Sequence, residues 1–189
     1  MVGRITVLHL CGVKIMNELK ANTMESTEIV QKTVDTSAGN ALLCSRGFAG
    51  VGLYSPQNES NIGSALRAVQ IYNASFLAIT GKYKKAPTDT MCAYRHKPLF
   101  QVDSLKSIIP YDCIPVAVDL IEGAKPLPDY GHPERAFYIF GPENGTLDKS
   151  VTDWCRDTVC VPMDRCMNLA ASVNVVLYDR MMKQWLKRI

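Results

Sequence analysis

A chain of 189 residues that is 47% hydrophobic and 21% charged is long enough for one sizeable core and has an ordinary globular composition, which argues against intrinsic disorder. Its longest apolar runs fall far short of the roughly 20 residues that a membrane-spanning helix needs, so no membrane partner is expected. The net charge of +3 permits a nucleic-acid partner without demanding one, and seven cysteines with no framework spacing favour a reducing, cytoplasmic compartment over a disulfide scaffold.

Residues 1–45 read as a loosely packed N-terminal extension. Ile5–Gly12 is apolar, but only one basic residue precedes it and no small-residue cleavage site follows, so a signal peptide is not expected. Lys14–Val34 is polar with scattered apolar residues, a weak helix, and Thr36, Ser37, Gly39 and Asn40 resemble a linker. Residues 46–189 read as one domain in which strands and helices alternate. Val51–Tyr54 is a predicted strand. Asn61–Tyr72 is a predicted helix with Ile62, Ala65, Leu66 and Val69 on one face. Phe76–Thr80 is a strand, Thr88–Pro98 an irregular stretch with a helical turn, and Val102–Ile109 a short helix beginning near Asp103. Ile114–Val118 is a strand, and Lys125–Pro133, with its prolines, a loop. Ala136–Phe140 and Val159–Pro162 are further short buried strands. Alternation of this kind implies an α/β fold, a parallel sheet with helices on both faces.

A long final helix opens at Asn168, a good cap. Leu169, Val173, Val176 and Leu177 form one apolar stripe on it, and Val175, Tyr178, Met182 and Trp185 a second. A helix apolar on two sides is normally buried on both. One side can cover the sheet, and the other points to a homodimer built through this helix.

Chemistry concentrates in the loops that follow strands, the end of a parallel sheet where ligands bind. Asn61 and Gly63 open a helix whose N-terminus can receive an anion. Arg67, one turn beyond Gly63, leans toward that end, so Asn61 and Arg67 read as contacts for a phosphate placed at the helix start, the RNA-binding residues of this segment. Glu143 lies between Gly141 and Gly145 and reads as a carboxylate that pairs with Arg67 or arranges the site. Lys82, Tyr83, Lys84 and Lys85 follow a strand and read as a basic patch with an aromatic for stacking, extended by Arg95, His96 and Lys97. No GxGxxG is present. His132-Pro133-Glu134 lacks the cysteine partners of a zinc deaminase, and Cys155 and Cys160 have no second pair, so no metal is expected. Glu134 and Arg135 read as solvated residues before a strand.

Asn61-x-Gly63-x-x-x-Arg67, then Gly141-Pro142-Glu143-Asn144-Gly145 after a strand, then Val161-Pro162-Met163 and Cys166-Met167-Asn168-Leu169 opening a helix, all in this order, resemble the SpoU/TrmH family of RNA ribose 2′-O-methyltransferases of the SPOUT superfamily. The resemblance covers Arg46 to Arg188. It implies a SPOUT-type fold with a C-terminal trefoil knot, S-adenosyl-L-methionine as cofactor, and tRNA or rRNA as substrate. It also implies catalytic roles for Arg67, Glu143 and Asn168. The cofactor would lie among Val118, Asp119 and Leu120 after one strand, Gly141 after another, and Val161, Met163, Cys166 and Met167 after a third. Cys166 stands where the family usually carries serine. Methylation of a base nitrogen, or RNA binding without catalysis on the same fold, are the alternatives that the residues leave open.

Overall fold

The structure is a computed structural model that describes residues 47–81 and 92–187. The expected extension over residues 1–45 and the patch lysines Lys82, Lys84 and Lys85 lie outside the described residues. The strands are β1 (Phe48–Leu53), β2 (Phe76–Thr80), β3 (Leu99–Val102), β4 (Ile114–Val118), β5 (Lys125–Pro126), β6 (Arg135–Phe140) and β7 (Asp157–Cys160). The α-helices are α1 (Glu59–Ile71), α2 (Lys149–Thr152) and α3 (Leu169–Leu186), and short 3-10 turns cover Ala93–Arg95, Leu105–Ile108 and Leu127–Asp129. The strands form one seven-stranded sheet in the order β3-β2-β1-β6-β4-β7-β5, and every pairing is parallel. The expected α/β architecture is therefore present. Among the described residues no helix is long and apolar enough to cross a membrane.

The sheet is covered on both faces, which is why its central strands read as continuous apolar runs. On β6, Ala136, Tyr138 and Phe140 enter the core formed with α1 and α3. Phe137 and Ile139 alternate with them and enter a second core with Leu105, Leu147 and Val151. Close packing on that second face requires glycine in β1: a Cβ on Gly52 would stand 2.8 Å from Phe137 Cζ.

The sequence reading departs from the structure at several elements. Leu99–Val102, which the reading left mostly outside any element, is the edge strand β3 with Phe100 exposed. The helix expected over Val102–Ile109 shrinks to one 3-10 turn: Val102 belongs to β3 and Ser104 is extended, and at the other end Ile109 precedes Pro110 and is held extended at φ −65° and ψ 120°. α1 starts two residues before the expected Asn61: Asn58 is its cap, and the Asn58 Oδ1 accepts from the Ser60 N–H at 2.9 Å. β7 ends at Cys160, before Pro162, which has no N–H to pair. The predicted loop over Lys125–Pro133 contains the two-residue strand β5, paired with β7 and clamped by a 2.7 Å Lys125–Asp157 ion pair. Arg135 is half-buried rather than solvated. Its guanidinium lies 5.2 Å from the centroid of the Phe48 ring and donates to the Tyr111 carbonyl at 3.1 Å.

α3 is tied to the sheet by a buried polar network. Arg180 donates to the carbonyls of Pro133, Glu134 and Phe48 and to the Tyr138 hydroxyl. The Tyr138 oxygen thus accepts from Arg180, and its proton goes to His132 Nδ1 at 2.6 Å. The other ring nitrogen of His132 donates to Asp179, 2.7 Å away, which also pairs with Lys183. Both nitrogens are thereby assigned in the neutral tautomer. Burial pushes the imidazole down to about 4, against the pull of Asp179.

This makes stability depend on pH in a defined direction. Below about 6.5 the unfolded chain takes up a proton that the folded His132 refuses, so stability is complete above that pH and declines as pH falls toward about 4. Urea unfolding of wild type and His132→Gln at pH 7 and pH 4.5 reads this directly. The substitution is expected to shrink the loss between the two pH values by about 2 kcal/mol; an unchanged loss would show that His132 is already charged when folded.

Candidate active site

The loops after β1, β4, β6 and β7 meet at the carboxyl end of the sheet. A directional chain of side chains joins three of them. Asn168 caps α3, its Oδ1 accepting from the N–H groups of Ala170 and Ala171 at 2.9 and 3.3 Å. That orientation leaves its Nδ2 to donate to Asn61 Oδ1 at 2.8 Å. Asn61 must then turn its own Nδ2 to Glu143, and it donates to Oε1 at 2.8 Å. The same carboxylate accepts the backbone N–H of Gln57 on Oε2 at 2.8 Å and that of Asn58 on Oε1 at 3.1 Å. Partial burial would raise the pKa of Glu143, but these bonds outweigh it and hold the carboxyl below its ordinary value.

Glu143 therefore does not hold Arg67. It occupies the position that the sequence reading gave to a phosphate, at the N-terminal end of α1, where a negative charge is favoured. Arg67 lies half-buried on α1. It stands about 9 Å farther along the axis than Asn61 and about 120° around it, from ideal helix geometry. It lines neither of the hollows described next, and no ion pair of Arg67 exists among the described residues. Asn61, expected to touch RNA, is buried with both ends of its amide committed within the protein. Arg95 is exposed, but its turn leads into β3 at the opposite end of the sheet, where Lys97 bonds Asn73 at 2.8 Å.

Two hollows share Glu143. The first has a volume of about 630 Å³ with its open mouth included. Val118, Asp119, Leu120, Gly141, Val161, Met163, Cys166 and Met167 all line it. So do Phe140, Pro142, Gly145, Leu169 and Ser172, which the sequence reading did not assign to the cofactor. Asp119 shapes its floor: one carboxylate oxygen accepts from the Leu120 N–H and the other from the Leu147 N–H. Gly141 leaves room for that carboxylate, since a Cβ there would come within 3.3 Å of Asp119 Oδ2. Walls that mix apolar side chains with fixed polar groups suit a partly polar cofactor such as the expected one. The second hollow is polar throughout and is lined by Gln57, Asn58, Asn61, Glu143, Asn144 and Asn168 among others. Gln57 went unnoticed in the sequence because it belongs to no periodic pattern, and Asn144 was noticed only as part of the loop motif, with no role of its own. No cluster of three or more metal-ligating side chains of His, Cys, Asp or Glu occurs among the described residues.

The polarity of the chain makes a test. Asn61→Asp replaces a donor to Glu143 with a second carboxylate. At pH 7 the variant should lose about 1–3 kcal/mol of stability. The Glu143 carboxyl should move from below its ordinary range to above it, so that part of the lost stability returns as pH falls into the carboxylate range. Urea unfolding at pH 7 and pH 5, with carboxyl titration by NMR, checks both; a variant as stable as wild type with Glu143 still depressed would break the assigned chain.

The sequence pattern of the SpoU rRNA Methylase family matches residues 49–178. No curated protein matches the chain by sequence. Among solved structures, the SpoU methyltransferase AviRb from Streptomyces viridochromogenes, in complex with the cofactor AdoMet, is 20% identical. That match covers 75% of this chain and 59% of AviRb, with a TM-score of 0.67. The TrmH/SpoU tRNA modifying enzyme of A. aeolicus is 14% identical over 78% of this chain and 81% of that one, with a TM-score of 0.68. A structure reported as giving insight into the 2-OH methylation of C/U34 on tRNA is 22% identical over 76% of this chain and 100% of that one, with a TM-score of 0.64. The chain thus spans about three fifths of the length of AviRb, at 59%. With the family pattern running from β1 into α3 and the same architecture in these structures, the chain belongs to the SpoU rRNA Methylase family.

Proposed function

We propose that the protein transfers a methyl group from S-adenosylmethionine to a ribose 2′-hydroxyl of tRNA or rRNA, without a metal and as a cytoplasmic homodimer. The observation that carries the reading is the shared wall at Glu143: a hollow of mixed apolar and polar lining and a second one lined by polar residues meet there, as a methyl donor and a polar acceptor must. Family membership supports methylation of RNA, the AdoMet held by AviRb supports the donor, and the 2-OH methylation attributed to a structural neighbour supports the ribose.

The donor supplies an electrophilic methyl carbon on a sulfonium. The ribose oxygen bonds to that carbon as the carbon–sulfur bond breaks, the bonding pair stays on sulfur, and the hydroxyl proton passes to solvent. Glu143 is a poor base for that proton, since its carboxylate is held ionised by donors from Gln57, Asn58 and Asn61. Its work is to hold the loops after β1 and β6 in register. Arg67 serves as a contact for RNA phosphate. We also read residues 1–45 as an extension separate from the domain over 46–189, and the late strands β6 and β7, each placed beside the earlier β4, as consistent with the family's knot.

Arg67→Ala should reduce single-turnover methyl transfer by about 10²–10³ and leave cofactor affinity intact, because Arg67 lines no part of the cofactor hollow. Pairing cofactor calorimetry with single-turnover transfer to unmodified tRNA and rRNA transcripts tests it. Nuclease digestion of the product separates ribose from base methylation. Normal turnover, or failure through lost cofactor binding, would remove Arg67 from the proposed role.

The dimer rests on the outer stripe of α3. Tyr178, Trp185 and Leu186 remain 50%, 37% and 54% exposed, while Leu169, Val173, Val176 and Leu177 are buried in the chain's own core. Trp185→Glu is expected to yield monomers in sedimentation at micromolar concentration. A monomeric wild type would refute the interface.

A further inference from the structure

The polar hollow has a rim that methyl transfer itself does not use. Gln57, on the loop after β1, and Asn144, on the loop after β6, are both exposed and join across it: Asn144 Nδ2 donates to Gln57 Oε1 at 2.9 Å. The backbone beneath Gln57 is fixed, because its N–H is held by Glu143. The pair therefore stands at a set height above the carboxylate that borders the cofactor hollow.

A carboxamide carries one acceptor oxygen and one NH₂ donor. The mutual bond spends one group of each kind. Whichever way the two amides are turned, the pair keeps an NH₂ and a C=O that are uncommitted among the described residues. Asn and Gln amides recognise bases through hydrogen bonds to the donors and acceptors of the base edge, and the two amides here together keep one group of each kind for such bonds. The residues lining this hollow include no aromatic ring, so recognition here rests on hydrogen bonds and not on stacking. A site that hydrogen-bonds one base edge leaves its own groups unpaired against another, which makes such a site selective.

We propose that Gln57 and Asn144 read the base of the nucleotide being methylated, with its ribose turned down toward Glu143. The inference rests on the reading of the protein as an RNA ribose methyltransferase. Its test uses a pool of unmodified tRNA and rRNA-fragment transcripts together with RNA hairpins whose loops are randomised. Enzyme and S-adenosylmethionine are added, and sequencing of 2′-O-methylated positions reports the base at each. Wild type should show a preference among the four bases. Gln57→Ala and Asn144→Ala should each weaken that preference about tenfold. Their cofactor affinity by calorimetry should not change, since neither residue lines the cofactor hollow. A wild type without preference, or variants that keep it unchanged, would overturn the inference alone. A wild type that places no methyl on any ribose would overturn the reading beneath it.

Discussion

The site depends on a hydrogen-bond chain with one permitted direction. It starts from the N-terminus of α3, whose free N–H groups require an acceptor. Asn168 supplies the oxygen, so its nitrogen faces Asn61. Asn61 in turn has only its nitrogen left for Glu143. Glutamine would be too long and aspartate of the wrong polarity at either asparagine. One helix cap thus sets the orientation of two further side chains that lie distant in sequence. It also fixes the loop bearing Gln57 and Asn58, because Glu143 carries the order onward to their backbone N–H groups.

That chain needs α3 to be immobile, and the second polar network secures the other half of the helix. Arg180 gathers carbonyls from Pro133, Glu134 and Phe48, all at the amino ends of β6 and β1. The helix is therefore held at its start by the active-site loops and farther along by the opposite end of the sheet. Between these points Val173, Val176 and Leu177 are packed in the core. Burying an arginine is costly unless its donors are satisfied; here carbonyls and the Tyr138 hydroxyl accept them. The consequence for the site is geometric: Asn168 sits on a rigid rod whose position β1 and β6 determine.

Much of this fold was legible in the sequence, and the reasons differ by element. β2 and β4 coincide with their predicted bounds because a strand buried on both faces is an unbroken apolar run between turn residues. α3 and its cap were legible from Asn168 and the two stripes. β3 was not, since an edge strand of four residues with an exposed centre carries no such run. β5 was hidden by Pro126, which pairs only because it lies at the sheet edge. The residues around the first hollow were anticipated from the family resemblance, and the loops that carry them do follow strands. The partner of Glu143 could not. Helical spacing places Arg67 near Gly63 on a face, but it cannot say that Asn58 begins the helix and that Glu143 docks on that end. Likewise, the residues before β3 read as continuing the basic loop after β2, whereas the chain has by then returned to the other end of the sheet, taking Arg95 with it.

Among the described residues no cation pairs with Glu143, and this has its own physical consequence. Gln57, Asn58 and Asn61 satisfy the carboxylate with neutral donors, so its negative charge remains at the wall between the two hollows. An arginine clamp would have cancelled it. In a partly buried setting that residual charge acts over several ångströms with little screening. On the proposed reading it favours a donor that carries a positive sulfonium in the first hollow and disfavours an RNA phosphate in the second. The phosphates must then lie away from Glu143, toward surface where Arg67 and other cations can meet them, while the uncharged ribose and base occupy the amide-lined hollow. A neutral clamp on an ionised carboxylate thus sorts the parts of both ligands by charge before any residue touches the reacting atoms.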